Sequence, residues 1–272
     1  VIDHPPATGA GPGRWLLTVT TFVSTLDRFV MPPMLLSIAG GLGVPLSRVA
    51  QAAGGYYLAY GLLQPVWGLV SDRLGLVRTT RLALLCAAGA TATAALSPSV
   101  GALVVTRTLA GACFSAAIPS TLVYVGDTVP SSRRQRGVTH LMAGVALGTA
   151  VAAAAAGGVA DRIGWRWVFV GTGAAAVGTA ALLRRLPEPS TRRRHHSPLA
   201  PFRAVFGSGP ARLVIALAFT EGAILLGGLT YLPAAVQARG ATATAAGLIT
   251  AVFGVATLLA APAVAGLTRR VP

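Results

Sequence analysis

Four ionisable side chains, Asp27, Arg28, Arg107 and Glu221, stand inside runs that are otherwise apolar. A charge at the centre of a bilayer costs about 2.5–3.5 kcal/mol on insertion scales, and residues of this kind mark ion or substrate pathways. Asp27 lies 13 residues beyond Arg14, which at about 1.5 Å per helical residue places it roughly 20 Å deep. Arg107 enters its own apolar run from the opposite side and reaches a comparable level. An acid and a base at one level of a bundle neutralise each other. A proton that competes with Arg107 for Asp27 would then be a simple coupling device. A static structural ion pair is the other reading of the same two residues.

The stretch "DRFVMPPMLL" (Asp27–Leu36) adds two prolines to the carboxylate. Neither has a backbone N–H, so the carbonyls of Arg28 and Phe29 lose their helical donors. A broken helix with free carbonyls beside a carboxylate suits a transport cavity, and a kink that only shapes packing is the plainer alternative. Arg28 is turned about 100° from Asp27 on a helix, so it faces another flank and must pair elsewhere or snorkel. Tyr56, Tyr60 and Gln64 share one helix face at spacings of four. With Arg28 they form the candidate cavity lining, and ordinary helix packing accounts for them equally well.

These side chains need apolar helices to carry them. Of the 272 residues, 54% are hydrophobic and only 11% charged, against about 25% charged in soluble domains, and mean hydropathy is +0.69. The composition is that of an all-α integral membrane protein. Eight apolar segments are expected to span, near 15–39, 48–70, 82–97, 100–124, 138–160, 166–186, 212–237 and 243–266. The first run lacks a cleavage-like end and reads as a retained span rather than a signal peptide.

The net charge of +15 comes from 22 arginines, with no lysine, against seven acids. They sit in short clusters between apolar runs rather than on a soluble face, which excludes a nucleic-acid partner. With the N-terminus in the cytoplasm, sixteen arginines fall inside and four outside, leaving Arg28 and Arg107 within the membrane. The positive-inside rule therefore places the N-terminus in the cytoplasm of an inner or plasma membrane. Cys86 and Cys113 lie in apolar runs and read as small packing residues. His195 and His196 have no partner cluster for a metal. No HExxH, paired intramembrane histidines or clustered carboxylates point to an enzyme.

Three regions follow: a six-helix bundle over 1–186, an Arg/Pro-rich cytoplasmic linker over 187–211, and two helices over 212–272. The linker separates similar halves. Asp27 and Pro33 correspond to Glu221 and Pro233, and "PVWGLVSDR" to "PAVAGLTRR", at offsets of 194 to 200 residues. Two repeats joined by a basic loop are the build of a secondary transporter. Glu221 is then the counterpart of Asp27 and a second candidate for proton coupling.

"GLVSDRLGLVR" (Gly68–Arg78) resembles the helix 2–3 signature of the major facilitator superfamily, through Gly68, Asp72, Arg73, Gly75 and Arg78. Gly68 is expected to let helices approach closely, Asp72 to bond a neighbouring helix end or arginine, and Gly75 to allow the reversal into the next helix. "YYLAYGLLQPVWG" (Tyr56–Gly68) looks like helix 2 of the drug-exporter branches. "RTLAGACFSAA" is similar to the family's arginine motif through Arg107 and Gly111. "DRIGWRWVF" (Asp161–Phe169) resembles the common ending of helix 5. The antiporter pattern of helix 5 lacks its proline here, although Gly144, Gly148, Gly157 and Gly158 supply small residues for helix packing.

The resemblance implies a bundle of two six-helix halves working by alternating access, with the second half represented by two helices. It implies export of a small organic compound against protons, with Asp72, Arg73 and Arg78 at a cytoplasmic gate. Proton-linked uptake of a nutrient or organic acid keeps the same fold, and a non-transporting membrane partner is a third reading. The expected partners are a small-molecule substrate, protons and the lipid bilayer. No cofactor is implied, and no residue pattern sets an oligomeric state.

Overall fold

The structure, a computed structural model, describes residues 13–189 and 205–268. Most of the linker, with His195, His196 and the Arg192–Arg194 triplet, lies outside the described residues, as do Arg203, Arg269 and Arg270. Every regular element among the described residues is helical. In chain order they are α1 (Gly13–Phe29), α2 (Met31–Leu42), α3 (Leu46–Leu74), α4 (Leu76–Ala95) and α5 (Val100–Phe114). They continue with α6 (Ala117–Thr128), α7 (Ser131–Arg162), α8 (Trp165–Leu182), α9 (Gly209–Gln237) and α10 (Ala243–Thr268).

Among the described residues, six segments are long and apolar enough to cross a membrane: Trp15–Leu42, Val100–Thr128, Ser131–Arg162, Trp165–Arg185, Gly209–Gln237 and Ala243–Ala260. This is two fewer than the eight expected. α3 and α4, of 29 and 20 residues, are long enough, but their polar content lowers their hydropathy. Gln51, Gln64, Asp72 and Arg73 dilute one, and Arg78 and Arg81 the other. Both still pack within the bundle, α3 against α5 and α4 against α8. Helices also outrun the apolar segments that announced them. α7 begins at Ser131 rather than near 138, because a helix leaving a membrane keeps its own hydrogen bonds and does not have to stop at the lipid boundary.

Two spans are interrupted by proline. Between α1 and α2 the break falls at Val30, with Pro32 and Pro33 in the first turn of α2. Between α5 and α6 it falls at Ser115–Ala116, with Pro119 in the first turn of α6. A helix start tolerates proline because its N–H groups lack intrahelical acceptors in any case. Carbonyls near the second break are taken up by neighbours. Ser24 Oγ donates to Phe114 O at 3.2 Å and Trp67 Nε1 to Ala112 O at 2.6 Å.

Small residues set how closely the helices approach. A methyl added at Gly111 would strike the backbone carbonyl of Tyr56, and one at Gly144 the Thr21 hydroxyl and the Thr18 carbonyl. At Gly148 it would lie 2.7 Å from Phe22 O, and at Gly157 it would meet the carbonyl of Ala243. α7 thus presents two small-residue faces, one to α1 and one to α10. Gly158 has only the end of Arg162 nearby, at 3.3 Å. Gly68 departs from expectation. Nothing lies within 4 Å of a Cβ placed there, so no close approach rests on it among the described residues.

The apolar interior divides into two clusters stacked along the bundle. One includes Leu16, Val23, Tyr56, Tyr60, Leu84, Ala88, Ala110, Phe114 and Ala176. The other includes Phe29, Met34, Ile38, Ala94, Leu103, Trp165 and Phe169. Between them runs a thin polar level. Along each of four helix paths one polar residue is flanked by members of the two clusters: Asp27 by Val23 and Phe29, Thr91 by Ala88 and Ala94, Arg107 by Leu103 and Ala110, and Thr172 by Phe169 and Ala176.

Candidate functional site

That polar level holds the candidate site. Asp27 and Arg107 are both fully buried and form an ion pair. Arg107 Nη2 donates to Asp27 Oδ2 at 2.9 Å and Nη1 to Oδ1 at 3.2 Å. Nη2 also donates at 2.9 Å to the main-chain carbonyl of Asp27, which lies in the last turn of α1, where carbonyls lack helical donors. Thr91 from α4 and Thr172 from α8 each donate a hydroxyl to Asp27 Oδ1 at 3.1 Å. The carboxylate therefore receives donors from three helices besides its own. The guanidinium is sandwiched between aromatic rings, Tyr56 at 4.7 Å and Phe169 at 4.9 Å from the ring centres. Cation–π contact of this kind is stronger away from water.

The carboxylate is fully engaged, and of the Arg107 nitrogens only Nε lacks a partner among the described residues. A proton on Asp27 would cancel its charge and convert one oxygen from acceptor to donor. Arg107 could not respond by losing its own proton, because guanidinium stays charged. It would keep the ring faces and lose its counter-ion. One protonation event at this level thus changes the helix–helix bonds linking α1, α4, α5 and α8.

Arg28 lies beside this site without joining it. Its guanidinium sits over Tyr60 at 4.8 Å and over Phe29 at 5.2 Å. Of the two expectations for it, pairing elsewhere or snorkelling, no pairing is seen, since it makes no ion pair or hydrogen bond among the described residues. Tyr60 and Tyr56, expected on one helix face, stack at 6.1 Å, so each ring serves one arginine. Gln64, one turn further along, is half-buried. Glu221 is not brought to Asp27. It sits on an exposed face of α9 with no bonded partner among the described residues.

At the arginine-rich end, Gly75 turns the chain between α3 and α4 with φ +94°, a conformation that strains any residue with a Cβ. Asp72, Arg73 and Arg78 are exposed there. The carboxylate seated on the start of α4 belongs to Glu188, which sequence reading passed over as linker. It accepts from Val77 N at 3.0 Å and from Arg78 N at 3.3 Å. Tyr124 donates to the neighbouring Pro187 carbonyl at 3.1 Å. The only advance signal was an acid flanked by two prolines directly after a span.

α9 and α10 meet the six-helix bundle mainly at the other end and midway. Asp161, at the end of α7, accepts from the Thr244 amide at 2.7 Å and its hydroxyl at 2.6 Å. Gln237 Nε2 donates to Pro33 O at 3.0 Å, and Thr230 to the Tyr57 hydroxyl at 3.4 Å. The part of α9 nearer the arginine-rich end, including Leu213, Leu217 and Ile224, is exposed. The halves touch at one end and part at the other.

The profile of the Major Facilitator Superfamily matches residues 17–272. The chain belongs to the major facilitator superfamily. This facilitator is similar to the putative multidrug resistance protein MdtD of Yersinia pestis (strain Pestoides F) and of Yersinia pseudotuberculosis serotype O:1b (strain IP 31758). It is 25% identical to each over 182 residues, covering 66% of this chain and 39% of theirs. It therefore spans about two fifths of the length of the curated relatives it matches. Among solved structures, a bacterial homologue of the human lysosomal transporter Spinster in an inward-facing, unoccupied conformation superposes with a TM-score of 0.74. That pair shares 18% identity and covers 93% of this chain and 61% of the other. The xylose transporter XylE from E. coli, partially occluded and inward open, gives 0.71 at 16% identity, covering 95% and 73%. These two likenesses carry the helical fold. The facilitator is a multi-pass membrane protein, in keeping with its family and its apolar helices.

Proposed function

We propose that the protein is a proton-coupled secondary transporter that exports a small organic compound by alternating access. The observation that carries this reading is the buried Asp27–Arg107 pair, held by Thr91 and Thr172 at the level between the two apolar clusters. Such a pair is expensive to assemble and gives little net stability, so a role in coupling accounts for it better than a role in folding. Asp27 takes up the proton, Arg107 is released from it, and the four helices it ties together are free to shift. The similarity to MdtD supports a drug-like cargo and outward direction.

Gly68, Asp72, Arg73, Gly75 and Arg78 form the cytoplasmic gate in this scheme, at the end where α9 stands away from the bundle. Glu221 serves as a second protonatable group on α9. The N-terminus faces the cytoplasm of the inner membrane, by the arginine distribution. Contact through Asp161–Thr244 and Gln237–Pro33 corresponds to a state closed on the outside.

The test is proton-driven flux of a panel of aromatic organic compounds in everted and right-side-out vesicles. Accumulation in everted vesicles acidified inside, where protons leave as the compound enters, abolished by Asp27→Asn with energy-independent counterflow retained, is the expected result. Accumulation only in right-side-out vesicles reverses the direction. Full gradient-driven flux in Asp27→Asn removes the pair from the coupling step.

A further inference from the structure

Arg28 is the charged group that neither the fold nor the proton site accounts for. It lies one residue from Asp27, at the polar level between the two clusters, and is half-buried. Asp27 is fully engaged by Arg107, Thr91 and Thr172 and turns another way. Glu221 bonds to nothing among the described residues, Arg28 included. What Arg28 has are ring faces, Tyr60 at 4.8 Å and Phe29 at 5.2 Å, which offset only part of the cost of holding a guanidinium inside a membrane.

Four polar groups around these two tyrosines lack partners among the described residues, one of them Nε of the otherwise paired Arg107. Arg28 Nε is buried without an acceptor, and the Tyr60 and Tyr56 hydroxyls are buried without any hydrogen bond. Both tyrosines are more than nine-tenths buried. Buried polar groups are ordinarily bonded, so each exception calls for an explanation. These exceptions have one chemistry in common, since each has a hydrogen to donate. Arg107, on the neighbouring tyrosine, shows what such a guanidinium takes when paired, a carboxylate held by its two terminal nitrogens. Two orphan hydroxyl donors beside an unpaired planar cation match a planar or tetrahedral oxyanion, and the stacked tyrosine rings match an aromatic body next to it.

The geometry points to Arg28, backed by Tyr60 and Tyr56, as a subsite for the acidic group of an aromatic organic anion carried by this protein. The inference rests on the transport reading above and names its substrate class: an aromatic carboxylate, sulfonate or phosphate rather than a lipophilic cation.

The experiment uses the purified protein in phosphatidylcholine nanodiscs and three naphthalene probes of matched size: naphthalene-1-sulfonate, 1-naphthylmethylammonium and 1-naphthalenemethanol. Affinities are read by titration calorimetry. The sulfonate is expected to bind tightest. Arg28→Gln should weaken it by about 10-fold to 100-fold, the worth of hydrogen bonds to a charged group, and leave the alcohol nearly unchanged. Arg28→Lys should restore part of the loss, and Tyr60→Phe should weaken the sulfonate alone.

Equal affinity for the three probes, a preference for the ammonium, or sulfonate binding indifferent to Arg28→Gln overturns the inference. If Arg28→Gln does not fold, Tyr60→Phe and Arg28→Lys decide it by the same readout. Loss of sulfonate binding on adding phosphatidylglycerol to the discs would assign the subsite to a lipid phosphate and overturn the substrate assignment. Asp27→Asn separates the two readings. Retained sulfonate binding with lost flux supports both. Arg28-dependent binding in a protein with no proton-driven flux of any probe sinks the transport reading alone, and flux without anion preference sinks the subsite alone.

Discussion

Neutralising one member of the Asp27–Arg107 pair should cost far more than neutralising both. At 2.9 Å and an effective dielectric constant of about 20, the Coulomb attraction of two unit charges is about 6 kcal/mol. Most of this is offset by the desolvation already incurred by each ion. Asp27→Asn removes the attraction and leaves the desolvation. Its amide oxygen still accepts from Thr91 and Thr172, but Arg107 keeps only the Tyr56 and Phe169 rings, a main-chain carbonyl and a long 3.4 Å bond to the Thr91 hydroxyl. A loss of about 3–5 kcal/mol is expected for an uncompensated buried charge. Arg107→Gln should cost less, because Asp27 can take a proton and become neutral whereas a guanidinium cannot shed one. The double variant should be more stable than Asp27→Asn, with a coupling energy of about 2 kcal/mol or more. The assay is reversible unfolding of the purified protein in mixed micelles, followed by the fluorescence of its four tryptophans. Additive single effects, within about 0.5 kcal/mol, would refute the reasoning and mean that each charge is separately solvated.

Two further outcomes follow from the packing and from the turn. Gly111→Ala should destabilise by about 1–3 kcal/mol, because the new methyl meets the rigid Tyr56 backbone. Gly68→Ala, in open space, should be neutral or gain up to about 1 kcal/mol of helix propensity, and the same unfolding assay compares them. Glu188→Ala should leave the amides of Val77 and Arg78 without their acceptor. It should cost about 0.5–2 kcal/mol, as the loss of a helix-start acceptor does, and hydrogen exchange at those two amides should rise while exchange in the middle of α4 does not.

Some of the site was legible in the residues themselves. Asp27 and Arg107 stood out because an ionisable group in an apolar run has no cheap alternative to a partner. The prolines near 32 announced a broken helix because a missing N–H is a local fact. Thr91 and Thr172 were not legible. Threonine is ordinary in an apolar helix, where its hydroxyl usually returns to its own backbone, as Thr80 does to Leu76. Phe169 reads as one more apolar residue in the sequence, and only the fold lays its ring over Arg107. Glu188 was hidden by its neighbours, since prolines, serine and arginines after a span read as loop whatever one acid among them does. Gly68 is the converse case, a small residue that reads as a contact where the structure has space.

The sequence by itself determined that the chain is a bundle of apolar helices with arginine-rich ends, because hydropathy, charge placement and missing N–H groups act on the residues that carry them. Only the tertiary structure decided which charges meet. The donors to Asp27 lie 64, 80 and 145 residues away along the chain, and helix crossing rather than spacing brings them within 3.2 Å. The same crossings left Arg28 and Glu221 without bonded partners among the described residues. A side chain's need for a partner is intrinsic, but the partner's identity depends on the rotation and depth of another helix.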